Sequence, residues 1–115
     1  MNDFVRDLEN KIILYKMDDN YLLSQPSGSK VIFKKEGLED DKLLLSYNIE
    51  SSCLYQEFIL CLEFLNKHLF ETTTLESIII PKAKNPFINS ALLKQGYVIS
   101  DGFIIKNRPL VKKRR

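Results

Sequence analysis

The chain has 115 residues, 44% of them apolar and 28% charged, and a formal net charge of +2. That length fits one domain around one core, and the composition excludes both a disordered chain and a membrane-embedded one. Four of the 17 basic residues are Lys112, Lys113, Arg114 and Arg115, and the body without them carries 13 basic against 15 acidic residues, so the positive charge belongs to the end of the chain. The expected organisation is a single domain over residues 1–110 followed by a basic tail over residues 111–115.

At the start, Asp3 stands where it can cap a short helix that would carry Phe4, Val5 and Leu8 on one face. Asp3, Asp7 and Glu9 lie where a secretory signal would need a basic start and an apolar run. KIILYKM (11–17), YLLSQ (21–25) and KVIFKK (30–35) are rich in aliphatic and aromatic residues, and the turn PSGS (26–29) predicts a hairpin between the last two. Gly37 with Glu39, Asp40 and Asp41 separates them from KLLLSYNI (42–49), which gives four strands in an antiparallel meander. The acidic patch reads as a solvated turn, since adjacent carboxylates without a Gly-spaced loop or a distant ligand do not make a metal site.

The period then changes. Leu54, Phe58, Cys61, Leu65 and Leu69 recur at three- and four-residue steps, which predicts the longest helix over 51–70, with Ser51 or Ser52 as its cap. Gln56, Glu57, Glu63, Asn66, Lys67 and His68 make that segment too polar to span a bilayer. Cys53 and Cys61, both inside it and eight residues apart, would be separated by about 12 Å of helical rise, beyond disulfide reach. Reduced core thiols and a cytoplasmic setting are expected. His68 reads as a partly exposed residue near the helix end, with no Cys–His spacing that suggests zinc.

ESIIIP (76–81) is a continuous aliphatic run, the pattern of a strand buried on both faces, and strand, helix and strand together predict a βαβ unit with parallel strands. In KNPFINSALLKQGY (84–97), Asn85 is a favoured N-cap, Pro86 suits the first turn and Gly96 the left-handed position after a helix. YVIS and FIIK flank Asp101-Gly102, a two-residue hairpin signal. The fold class is therefore α+β: a mixed, mostly antiparallel sheet with one βαβ crossover, a long central helix and a second, shorter one.

This order of elements, with Asn85, Ile88, Leu92, Gly96 and Tyr97 at their spacing, resembles the core of the GNAT superfamily of N-acetyltransferases over roughly residues 30–105. The resemblance implies acetyl-CoA as cofactor, transfer of acetyl to an amine, and Asn85 as the cofactor contact. In such an enzyme the parallel strand pair would splay to admit the thioester, and backbone N–H groups after the 42–49 strand would polarise its carbonyl.

Two departures bear on that chemistry. The family binds the cofactor pyrophosphate with a Gln or Arg and a Gly-containing turn at the start of the long helix. This chain reads NIESSCLYQEF there, has no Gly from 38 to 95, and places Glu50 where it would repel phosphate. Leu92 also occupies the position where many members carry a Tyr proposed to protonate the leaving thiolate, and Leu carries no proton to give. The resemblance thus implies a shortened, degenerate member without a cofactor, acting as a protein-interaction or assembly module. Its partner would be a protein or macromolecular assembly, with Lys112, Lys113, Arg114 and Arg115, helped by Lys106 and Arg108, meeting an acidic surface. Two alternatives stay open: an acetyl-CoA-dependent N-acetyltransferase, and nonspecific nucleic-acid binding through the tail. No membrane partner, metal ligand or catalytic residue is nominated.

Overall fold

The computed structural model describes residues 4–49 and 53–109. Its elements in chain order are β1 (Phe4–Asp7), β2 (Ile12–Met17), β3 (Asn20–Ser24), β4 (Lys30–Glu39), β5 (Lys42–Ile49), α1 (Tyr55–Thr72), β6 (Ser77–Pro81), α2 (Pro86–Lys94), β7 (Val98–Ser100) and β8 (Phe103–Asn107). They make one eight-stranded sheet in the order β1-β2-β3-β4-β5-β6-β8-β7. Every neighbouring pair is antiparallel except β5 and β6, which the α1 crossover makes parallel. The chain is α+β, with a mixed, mostly antiparallel sheet and two helices, as the periodicities require.

Alternation sorts the sheet into two unlike faces. Ile12, Leu14, Leu23, Val31, Phe33, Leu45, Ile80 and Ile104 point one way and are at most 2% exposed. They share a single core with Phe58, Cys61, Leu62 and Leu65 of α1 and Ile88 and Leu92 of α2. Burying some twenty large side chains at roughly 1.5–3 kcal/mol each is the main force that holds the two helices on this face. The opposite face carries no helix among the described residues.

Four expectations need correction. Residues 4–7 are a strand, not a helix: Phe4, Val5, Arg6 and Asp7 pair with Tyr15, Leu14, Ile13 and Ile12, while Leu8 is 82% exposed. One short apolar turn cannot repay helix nucleation, whereas β2 offers a ready ladder, and the Asp7 carboxylate ends the strand by accepting the N–H groups of Glu9 and Asn10. The meander therefore has five strands. Asp3, proposed as a cap, lies outside the described residues.

Gly37 sits inside β4 at a register shift between Lys35 and Gly37, so the turn shrinks to Asp40 and Asp41. Both have positive φ, 53° and 61°, the geometry of the tight hairpin turns that match strand twist. The first helix begins at Tyr55 rather than at the serines, with Leu54 as N-cap; Ser51 and Ser52 lie outside the described residues. Cys53 consequently precedes the helix, and helical rise does not measure its separation from Cys61; neither forms a disulfide.

Candidate functional site

The parallel pair β5 and β6 is in register only over Lys42–Leu44 and Ser77–Ile79. Beyond Leu44, β5 follows its antiparallel partner β4 to Ile49 and leaves β6, which opens a wedge toward the N-termini of α1 and α2. This is the place where the acetyltransferase resemblance puts an acyl thioester. Side chains of this chain fill it. The Tyr47 hydroxyl donates to the Pro81 carbonyl across the gap at 3.2 Å, and the Tyr47 ring lies 5.1 Å from that of Phe58, which stacks on Phe33 at 5.9 Å.

A helix N-terminus presents unpaired N–H groups and the positive end of a dipole, and so recruits an anion. At α1 the anion is internal. Glu57 takes the Leu54 N–H on Oε1 at 3.0 Å and the Ser27 hydroxyl on Oε2 at 2.7 Å. These two bonds, that from Ser27 foremost, hold its carboxyl below the usual range, so it stays ionised. A phosphate arriving at this end would meet a carboxylate.

Asn85 does what its position before Pro86 predicts: its side chain accepts the Phe87 N–H at 2.9 Å. Four residues later, in α2, buried Asn89 ties down the approach to the helix, accepting the Ala83 N–H and donating to the Ala83 carbonyl, both at 2.9 Å. Tyr55 and Phe87 stack at 6.5 Å across the two helix starts. Leu92 is fully buried, and its carbonyl caps the helix end by accepting from Gln95 and Tyr97. No proton donor replaces it at that position.

The remaining reactive groups are engaged elsewhere. The Tyr97 hydroxyl is buried, donates to Glu63 Oε2 at 2.8 Å and accepts from Asn66 Nδ2. Burial, then the Glu63 charge, raise its pKa, which holds it as a neutral structural link between α1 and the β7–β8 hairpin. Burial pushes the Cys61 thiol up to about 12, so it is inert as a nucleophile. His68 lines a cavity of about 620 Å³ between α1 and the β1–β2 turn, and burial lowers its pKa. Among the described residues, no group of three or more His, Cys, Asp or Glu is arranged to hold a metal. None of the described helices is long and apolar enough to cross a membrane.

Of the basic residues assigned to a partner, Lys112, Lys113, Arg114 and Arg115 lie outside the described residues. The two upstream charges have intramolecular roles. Lys106 Nζ donates to the Gln95 carbonyl at 2.9 Å and sits 5.0 Å over the Tyr97 ring. Arg108 donates to the carbonyls of Phe70, Thr73 and Leu75, each at 2.7 Å. They fasten the last strand to the helices.

The second candidate surface, which the sequence reading did not single out, is the helix-free face of the sheet. The register aligns Phe4, Tyr15, Leu22 and Ile32 across β1 to β4, and Leu44, Ile79, Ile105 and Val98 across β5, β6, β8 and β7. Phe4, Ile32, Val98 and Phe103 are 37–49% exposed. Two apolar rows thus lie open on one side of the molecule. Comparison of the chain with protein-family models, curated proteins and solved structures finds no significant match.

Proposed function

We propose that the chain is a non-catalytic domain of N-acetyltransferase shape that acts by binding protein and takes no acetyl-CoA. The observation that carries this reading is the Glu57 carboxylate at the start of α1, which takes the Leu54 N–H and sets a negative charge at the end of the helix that a pyrophosphate would need. The Tyr47–Pro81 contact across the strand wedge and the buried Leu92 support it, because each fills or removes a part of the thioester site. The apolar rows support a binding role, since Phe4, Ile32 and Val98 are exposed within them and contiguous exposed apolar surface marks interaction sites. Lys112, Lys113, Arg114 and Arg115 provide a further contact in this reading, toward an acidic surface of a protein or assembly. If a chain ending at residue 110 binds its partner as tightly as the full chain, the tail has no part in it.

Thermal unfolding with and without millimolar acetyl-CoA tests the reading. A ligand at about 100 times its Kd stabilises the native state by about 2.7 kcal/mol, several degrees for a domain of this size. The expected result is an unchanged midpoint. A rise that grows with ligand concentration would overturn the reading. The divergence of β5 from β6 favours the alternative of acetyl transfer to an amine; that alternative predicts the rise, together with turnover that Asn85→Ala lowers.

A further inference from the structure

The cavity between α1 and the β1–β2 turn is set apart by its charge. Asp7, Glu9, Glu63 and Glu71 stand in its wall against Arg6 and Lys67. Of the two cations, Arg6 leans 5.7 Å over the Phe4 ring, and strand alternation puts both of these on the helix-free side, while Val5 and Asp7 face α1. His68 in the same wall is held below its ordinary pKa, by burial first, and is uncharged at pH 7. Among the described residues, no hydrogen bond or ion pair takes the carboxylate of Glu9 or of Glu71. Leu8 and Leu60, 82% and 41% exposed, give the cavity an apolar border.

The chain leaves the described fold beside this cavity. Pro109 lines a smaller hollow of about 310 Å³ with Glu63, Lys67 and Glu71, and the same three side chains stand in the cavity wall. Leu110 and Val111 follow, then the four cations Lys112, Lys113, Arg114 and Arg115. Six extended residues span up to about 20 Å, against a helix diameter of about 10–12 Å, so a segment that starts at Glu63 and Glu71 has the reach to cross α1.

We infer that residues 110–115 dock in this cavity of their own chain, with the four cations against Asp7, Glu9, Glu63 and Glu71 and the two apolar residues on the Leu8 and Leu60 border. The sign of the charge and the point of departure at Pro109 select this occupant. Exposed ion pairs are individually worth little, so a separate peptide of this sequence would bind poorly. A tether of a few residues supplies an effective concentration in the millimolar range and makes the same contacts sufficient. An acidic surface of another molecule must then displace the tail from the cavity. The inference rests on the reading of the tail as a contact and adds what it touches when no partner is bound.

Nuclear magnetic resonance of the isotope-labelled full chain tests this, by comparing amide shifts of the wild type with those of a chain carrying Lys112→Glu, Lys113→Glu, Arg114→Glu and Arg115→Glu. At about 50 mM salt the differences should reach residues 5–10 and 60–71, and near about 500 mM, where screening acts within a few Å, they should vanish. Glu9→Lys with Glu71→Lys should erase them, and the reversed tail on the reversed wall should bring the salt-sensitive shifts back. Circular dichroism establishes that each variant is folded, and recovery in the charge swap is a readout that misfolding cannot imitate. Differences confined to residues 105–115, or cavity shifts that survive both wall changes, overturn the inference. Shifts that grow from low to high micromolar protein assign the contact to a second copy and overturn it too. A tail free of the cavity leaves the binding-module reading standing, because that reading falls to a thermal shift with acetyl-CoA.

Discussion

Arg108 shows how one side chain completes a helix made elsewhere. The last turn of α1 contains no basic residue; the Leu69 carbonyl is taken by the N–H and the hydroxyl of Thr73, and the carbonyls after it lie past the end of the helical ladder. Arg108 brings three donors to three of the carbonyls at or just past that end, from up to 38 positions away in sequence, and places its charge at the negative end of the dipole with Phe70 5.2 Å beneath. Arg108→Ala should lower unfolding free energy by about 2–3 kcal/mol in urea denaturation. Arg108→Lys should recover little of that, since an ammonium cannot reach the three carbonyls as a planar fork does. Nothing in a one-dimensional reading marks this residue, which looks like part of a basic tail. Glu57 is hidden in the same way, because its Ser27 partner is 30 residues distant. Asn85 was legible because a cap is local: the partner N–H is two residues on. Asn85→Ala should cost about 1 kcal/mol in the same measurement and Asn85→Gly only a few tenths, the signature of a cap rather than of a ligand contact.

At the scale of elements, the meander, the long helix, the βαβ unit and the closing hairpin follow from changes of hydrophobic period, and the structure keeps all of them. The misreadings occur where local pattern is ambiguous and pairing decides. Phe4, Val5 and Leu8 fit a helical face as well as a strand, and only the ladder with β2 selects the strand. Gly37 reads as a break but sits at a strand irregularity. Its φ lies outside the left-handed region and a Cβ there would meet nothing within 4 Å, so the position does not require glycine. Gly37→Ala should therefore stabilise the fold by roughly 0.4–1 kcal/mol through the unfolded chain. Gly102 is the opposite case. Its φ of +82° follows Asp101 at +51° in the β7–β8 turn, so Gly102→Ala should cost about 1–2 kcal/mol. Chemical denaturation of the two variants side by side would separate a glycine used for its backbone from one that is merely tolerated.

For the molecule as a whole, the one-sided sheet was the least legible feature. Alternation says that each strand has an inner and an outer face, but only the full register reveals that the outer residues of eight strands align into two apolar rows. The same one-sidedness concentrates ionisable groups of the core on the helix side, with a consequence for pH. Burial raises the pKa of Cys61 to about 12 and also raises those of Tyr97, Tyr21 and Tyr47. Each group is neutral in its protonated form, and each holds its proton more tightly folded than unfolded. Above the unfolded pKa the native state therefore binds more protons than the unfolded chain, and stability must fall as pH rises. The loss should begin near pH 9, where the Cys61 thiol ionises in the unfolded chain, and steepen above pH 10 as the tyrosines join. Each fully linked group contributes about 1.4 kcal/mol per pH unit. Cys61→Ala removes the first step, so its stability, although lower throughout, should stay level to about pH 10 before falling. Urea unfolding between pH 7 and pH 11 measures both curves, and parallel curves for the two proteins would mean that the thiol ionises as readily in the core as in water.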